Sequence, residues 1–488
     1  MRSTFLITQS KDFNNRMIRS FFISLLHLPK PFFDSKKIGE MIARMNDTRR
    51  IQLAVSNLAG NMLIEGLVVM VSLVGVFAYS WQVGIVVSAF LPVYLFILWK
   101  LNRPIISAQK EVMSKYASNE GNYIDVISGI SEIKSTGTTN LFHKSTSLFY
   151  KVFQDSIFNL GKIKIKFNFR SEFTGLLLMI SVISLSAYLV IIDQLLIGMM
   201  MAILSLAGSI GPSLTRLALF NVQLQEAKVA FSRMEEFTTL EPEKRQGAGI
   251  KRIDFIELVR LSFNFPGSLP LLKNINLKIE HGKIITLLGE SGTGKSTILQ
   301  LLQRFYKPVY GDILANGLNI QTLELDIYRK EIGVVSQDIK IFNHYLIFNI
   351  ALSDNPEELE QVPKWCQYHG FDQFFSKFPQ GYTTLLGEEG ANISGGQKQL
   401  VGLARALYRK PSILLIDEGT SAMDRKTEQF ILDMIQRMKN NIAILMVTHR
   451  MKVARQSDYV YLLENGVITK EGEPNELQSI LETAELDD

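Results

Sequence analysis

The sequence predicts two domains in one chain, an all-α helical membrane domain followed by an α/β P-loop nucleotide-binding domain. Three observations carry this. Two apolar blocks, residues 62–99 and 174–220, are each about twice as long as the roughly 20 residues a spanning helix needs. A phosphate loop stands directly after an apolar strand in the second half. Long apolar runs crowd the chain before Pro212, whereas the part after about Lys251 reads as an ordinary soluble domain.

Composition agrees with such a mixture. Of 488 residues, 47% are apolar and 20% charged, and mean hydropathy is positive. The net charge of +5 is small, and its basic excess belongs to the first half, so there is no case for a nucleic-acid partner. The single cysteine, Cys366, excludes an intramolecular disulfide and a multi-cysteine metal site. The opening MRSTFLITQSKDFNNR is too short in apolar length for a cleavable signal peptide.

Each apolar block breaks at its middle, the first at Tyr79-Ser80-Trp81-Gln82 and the second at Asp193-Gln194. Both read as helical hairpins, with spans near 60–80, 82–100, 174–192 and 195–215. Eleven Lys and Arg residues lie from Lys100 to Arg170, and the hairpin tips carry none. The positive-inside rule therefore puts the middle segment and both ends of the domain in the cytoplasm. Glu65, an acid inside the first span, marks either a polar pathway or a helix end that reaches water. The middle segment reads as two helices continuing out of the bilayer, joined by a Gly/Ser/Thr-rich turn at 128–140. The boundaries expected are a membrane domain at 1–240, a linker at 241–250 and a nucleotide-binding domain at 251–488.

In the second half, Leu261–Pro266 and Leu277–Glu280 read as strands, and Ile284–Leu288 as a third. The third leads into Gly289-Glu-Ser291-Gly292-Thr-Gly294-Lys295-Ser296-Thr297, the G-x-x-x-x-G-K-[ST] pattern between strand and helix. Its glycines let the backbone close on phosphates, and N–H groups at the helix start point at the anion. Lys295 brings a cation to the β and γ phosphates, and the Ser296 hydroxyl can ligate Mg²⁺. The strand 413–416 ends in Asp417-Glu418, where open α/β sheets gather ligands. Asp417 suits Mg²⁺, and Glu418 suits a water about to lose its proton. A further strand, 442–447, leads to His449, which can reach the γ-phosphate side of the same crevice.

These features resemble the nucleotide-binding domain of ATP-binding cassette (ABC) transporters. The specific element is Asn392-Ile393-Ser394-Gly395-Gly396-Gln397, similar to that family's LSGGQ signature with Ile for Leu, about twenty residues before the Asp-Glu strand. The resemblance implies that ATP and Mg²⁺ are bound and ATP hydrolysed. It places Phe265 against adenine, makes Gln337 the loop glutamine that senses Mg²⁺ and nucleotide, puts Asp424 in the loop after the catalytic acid, and makes His449 the switch histidine. It matches 387–390 to a short acidic segment of exporters; Gly419 and Met423 depart from the commoner Ala and Leu. It further implies that ATP is sandwiched between the P-loop of one domain and the signature of another, so a second such chain is the expected partner, a homodimer in the simplest case.

Upstream, Phe32-Phe33-Asp34 through Asn46-Asp47 looks like the first cytoplasmic loop of type I exporters, and 128–140 lies where their second is expected. The wording is closest to bacteriocin-type peptide exporters that carry a cysteine peptidase. That pattern has two spans before the Phe-Phe-Asp loop, where this sequence has about 31 residues. A truncated type I fold is therefore expected, either as a fragment or completed by another chain, without leader-peptide cleavage. The cargo expected is a peptide, with a lipid or drug as alternative, and a non-transporting regulatory ATPase as the second class of reading.

Overall fold

A computed structural model describes residues 2–36, 38–57, 62–387, 393–418 and 424–476. The chain divides into two compact units, Met1–Glu243 and Lys244–Asp488.

The first unit is helical throughout: α1 (Arg2–Leu26), α2 (Lys30–Ser35), α3 (Ile38–Asn57), α4 (Leu63–Tyr79), α5 (Trp81–Ser128), α6 (Ile130–Ser135), α7 (Thr139–Ile191) and α8 (Ile197–Thr238). Among the described residues, two stretches are long and apolar enough to cross a bilayer, in α7 and at Ile197–Leu217, and Leu63–Tyr79 and Trp81–Ile97 are shorter apolar helices. Both hairpin tips have a local cause. Ser80 leaves the helical region (φ −157°, ψ 116°) and its hydroxyl accepts from Val83 N, closing α4 and starting α5. Asp193 takes φ 57° after α7, a conformation few side chains tolerate. The connector at 128–140, expected as a turn, contains the short α6. Gly129 opens it, and Gly137 at φ 68° lets the chain reverse into α7.

Helices α4, α5, α7 and α8 share a core that includes Val76, Val83, Val87, Leu178, Val182 and Ile203. Polar pairs cross it: Ser72 with Ser209 at 2.9 Å and Ser171 with Thr215 at 2.6 Å. Glu65 lies in the first turn of α4, at a helix end, and pairs with Arg216 of α8 at 2.7 Å, with its own side chain only 13% exposed.

The second unit holds two sheets built from β1 (Phe255–Phe263), β2 (Leu272–Glu280), β3 (Ile284–Leu288), β4 (Tyr310–Ala315), β5 (Leu318–Asn319), β6 (Ile332–Val335), β7 (Ile413–Asp417), β8 (Ala443–Thr448), β9 (Tyr459–Glu464) and β10 (Val467–Gly472). A four-stranded antiparallel sheet runs β2-β1-β4-β5, and a six-stranded sheet runs β10-β9-β3-β8-β7-β6. In the second, β9, β3, β8, β7 and β6 are parallel. Buried on both faces, parallel strands read as continuous apolar runs. All five residues of β3 and all six of β8 are buried. Strands β1 and β2 are longer than 261–266 and 277–280. A register shift between Leu258 and Leu261, with Arg260 at φ 48°, breaks the alternation that would have shown the full strand.

The helices of this unit are α9 (Lys295–Leu302), α10 (Leu325–Lys330), α11 (Leu346–Ala351), α12 (Pro356–His369), α13 (Asp372–Phe375), α14 (Gly395–Tyr408), α15 (Arg425–Met438) and α16 (Met451–Ala454). Arg405 of α14 ties this layer together, donating to Asn349 O at 2.7 Å and Lys340 O at 2.9 Å, and burial pushes its pKa down to about 10. Asn349, fully buried, relays the tie to Phe342 N and O, both at 2.9 Å. Arg405→Ala leaves buried carbonyls unpaired and is expected to cost about 2 kcal/mol or more. The transition of the second unit, read by calorimetry of the full chain, should fall by at least roughly 4 °C; an unchanged midpoint contradicts this role.

Candidate nucleotide site

The site forms where β3, β7 and β8 end side by side. Leu288 at the end of β3 pairs with Thr448, and Asp417 at the end of β7 pairs with Val447. The three loops that follow are therefore neighbours.

The loop after β3 needs its glycines for different reasons. A Cβ on Gly289 would lie 2.3 Å from the carbonyl oxygen of Leu463 in β9, so no larger residue fits. Gly292 and Gly294 adopt φ 83° and 101°, which side chains rarely tolerate. Gly294 is the N-cap of α9 and offers no side-chain cap, so the first-turn N–H groups of α9 remain available to an anion at the loop's mouth. Ser291 and Ser296 are exposed and Thr297 is buried. Lys295 is 5% exposed and folds back over the loop, its Nζ donating to Gly289 O at 2.7 Å and Glu290 O at 2.6 Å. Burial lowers its pKa, and the opposing pull comes from the charges of Glu418, Asp417 and Glu290.

At the end of β7, Asp417 and Glu418 have separate surroundings. Asp417 accepts from the Ser296 hydroxyl, yet burial dominates and raises its pKa. Its Oδ1 is buried and has no hydrogen-bond partner. Glu418 has φ 47°, a strained value for a non-glycine residue that costs on the order of 1–3 kcal/mol. This turn, tied by Glu418 N to Val447 O at 3.0 Å, aims its carboxylate between two loops. Gln337 Nε2 donates to Glu418 Oε2 at 2.9 Å, and His449 Nδ1 lies 3.1 Å from Oε1. The structure thus joins Lys295, Ser296, Gln337, Asp417, Glu418 and His449 in one constellation.

The remaining candidates sit differently. Phe265 is half-buried and packs edge-on against Phe263 and Tyr306, with centroids at 5.0 and 5.2 Å. Tyr306, which no pattern in the sequence singles out, is what holds that ring in place. Asp424 is occupied: it caps α15, accepting from Lys426 N, Thr427 N and Thr427 Oγ1 at 2.9–3.0 Å, and these bonds hold its pKa below the usual carboxylate range. The residue expected among the nucleotide ligands thus serves as the N-cap of α15. Ser394 and Gln397 form a capping box at the start of α14, Ser394 N donating to Gln397 Oε1 at 2.9 Å and Gln397 N to Ser394 Oγ at 3.3 Å. Gly395 and Gly396 form the first turn of that helix, so the group is a capped helix start rather than part of the cluster around Glu418. Residues 388–390, Asn392, Gly419 and Met423 lie outside the described residues.

Two regions of the chain match family models. Residues 1–212 match the ABC transporter transmembrane region, and residues 272–421 match the ABC transporter domain. Each half of the chain is thus matched by a region of ABC transporters. Among curated proteins, this chain is 29% identical over 463 residues to the leukotoxin translocation ATP-binding protein LktB of Mannheimia haemolytica. It is likewise 29% identical over 464 residues to LktB of Bibersteinia trehalosi. In each case 93% of this chain is matched, and it spans 65% of the relative's length. A solved structure described as a bacterial Atm1-family ABC exporter with ATP bound superposes with a TM-score of 0.91 at 21% identity, covering all of this chain and 87% of the other. The fold is therefore that of a type I exporter.

The donor set suits Mg²⁺: a hydroxyl, a carboxylate with an unpartnered buried oxygen, and an amide. Among the described residues no cluster of three or more His, Cys, Asp or Glu could hold a metal by itself. An ion bound largely through phosphates and water needs none. A raised pKa in the folded chain means that the ionised Asp417 opposes folding at neutral pH, a penalty relieved as pH falls through that pKa. Asp417→Asn should accordingly raise the unfolding temperature of the nucleotide-free chain while removing the gain in ATP affinity that Mg²⁺ gives. Thermal unfolding and ATP titration with and without chelator check both; a lowered midpoint or an undiminished Mg²⁺ effect contradicts the assignment.

Proposed function

We propose that the chain is an ATP-driven export subunit of the cell membrane that works as a pair and moves a peptide or protein toxin outward. The observation that carries the ATPase part is the Glu418 carboxylate, gripped on one oxygen by Gln337 and on the other by His449. ATP lies along the loop after β3, its β and γ phosphates met by the N–H groups of α9 and by Lys295, which turns from the loop carbonyls to the anion. Phe265 offers its ring to adenine. Mg²⁺, held by Ser296, Asp417 and Gln337, would neutralise charge on the β and γ phosphates. Glu418 accepts the proton of the attacking water as the bond to the γ-phosphorus forms and the β–γ bridge breaks, giving ADP and phosphate. His449 orients Glu418 and faces the γ-phosphate. The signature Ser394, Gly395, Gly396 and Gln397 closes on the ATP of a second copy. The membrane unit sits with its hairpin tips outside and its long helices in the cytoplasm. The toxin cargo named for the curated relatives favours a peptide over a lipid or drug.

Glu418→Gln keeps shape and hydrogen bonding but is a poor proton acceptor. ATP binding should persist while turnover falls by on the order of 10²–10⁴-fold. Phosphate release within a few-fold of the parent, measured at saturating ATP, removes Glu418 from this role. Lys295→Ala should weaken ATP itself in a fluorescence titration, and unaltered affinity would contradict its placement on the phosphates.

A further inference from the structure

Both ends of α9 serve the nucleotide site. Its first-turn N–H groups stand at the phosphate loop, and about 12 Å further along the axis the chain leaves it for Tyr306. That exit is rigid. Arg304 takes φ 56°, Arg304 N donates to Leu301 O at 3.0 Å and Phe305 N donates to Gln300 O at 3.0 Å, the paired bonds of a Schellman motif. Arg329 Nε donates to Gln303 O at 3.0 Å and Arg304 Nη1 to Leu323 O at 2.9 Å, so the turn is tied to two further segments. A chain held in this way delivers the Tyr306 ring to one place.

That place is the aromatic group around Phe265. Tyr306 meets the Phe265 ring at 5.2 Å and 88°, and Phe263 meets it at 5.0 Å and 82°. Phe263 and Tyr306 meet each other at 5.7 Å and 65°. Edge-to-face contacts of this kind fix the plane of a ring as well as its position. The backbone beneath the ring is held too, the Phe265 carbonyl accepting from Ser268 N at 3.0 Å and from Asn264 Nδ2 at 3.2 Å. The strand after this loop abuts the phosphate loop, where a Cβ on Gly294 would lie 2.8 Å from Leu272 and 3.3 Å from Leu271. Phe263 is 4% exposed and belongs to the core, whereas Tyr306 is half-buried and packs against that core from outside. Of the two braces, Tyr306 is the one that can be altered without opening the core.

We propose that Tyr306 is a positioning residue for ATP: it holds the Phe265 ring in the plane that receives the base, at the spacing from the phosphate loop that α9 sets. It acts through Phe265 rather than on the nucleotide. The assignment rests on the reading that puts adenine on Phe265. Stacking needs two faces laid together, so a ring released from its brace loses base affinity while the phosphate contacts stay intact. The full chain in detergent is titrated with ATP and, separately, with inorganic tripolyphosphate, each with Mg²⁺; the second offers the phosphates without a base. Tyr306→Ala should weaken ATP by about three- to tenfold and leave tripolyphosphate unchanged. Tyr306→Phe keeps the ring and should bind ATP as the parent does, and Tyr306→Leu, which keeps apolar bulk without a ring, should share the alanine defect. Phe265→Ala should weaken ATP by about fivefold or more. Adding Tyr306→Ala to it should weaken ATP no further, since the brace then has nothing to hold. Equal losses for ATP and tripolyphosphate, additive losses in the double variant, or ATP affinity unaltered by Tyr306→Ala while Phe265→Ala weakens it would overturn the positioning role alone. Undiminished ATP affinity in Phe265→Ala would instead take the base off that ring, overturning the adenine contact proposed above and the brace with it.

Discussion

The constraint on which the site depends is the parallel adjacency of β3, β8 and β7. Three buried apolar strands in register deliver their carboxyl ends to one edge, so residues 295, 418 and 449, widely separated in sequence, become neighbours without any long side-chain reach. The strands are held mainly by backbone hydrogen bonds and apolar packing. The polar chemistry gathers at their carboxyl ends and in the loops beyond, where water and ligand can enter. Elsewhere in the second unit, α14 and α15 pack against the sheet.

That edge is costly to maintain. A lysine 5% exposed, a carboxylate with an unpartnered buried oxygen and a glutamate at φ 47° all gather there. Their charges offset one another only in part, since burial still lowers the pKa of Lys295 and raises that of Asp417. A polyanion would meet Lys295 and its cation would meet Asp417, which is the physical case for nucleotide as the ligand. The capping box at Ser394 is different in kind. Its hydrogen bonds are complete within α14, so it presents a finished helix start to something outside its own cluster.

Much of this was legible in the sequence because apolar runs ending in charged or glycine-rich segments have one common reading. The strand before Gly289, the Asp417-Glu418 end and the two apolar hairpins are such cases, and Ser80 and Asp193 sit at the breaks the composition suggests. What escaped was set by distant contacts or by local geometry that leaves no periodic trace. The pairing of Glu65 with Arg216 joins residues 151 positions apart. The β1 bulge near Arg260 disguised half a strand. Nor does its loop show that Asp424 lies within reach of Lys426 N and Thr427 N and caps a helix. Tyr306 supports Phe265 from outside every motif.

The central claim, that one chain's phosphate loop works with the signature of another, has a direct test by complementation. Lys295→Ala cripples the loop and Ser394→Arg blocks the signature, so a pair of either variant with itself has no intact composite site. Mixed pairs possess one: the sound loop of the Ser394 variant facing the sound signature of the Lys295 variant. Tagged separately, co-expressed and purified through both tags, the mixed pair should recover a clear fraction of parental ATP turnover while each variant alone shows almost none. Turnover of the mixed pair no higher than that of the two variants measured apart would contradict the shared site.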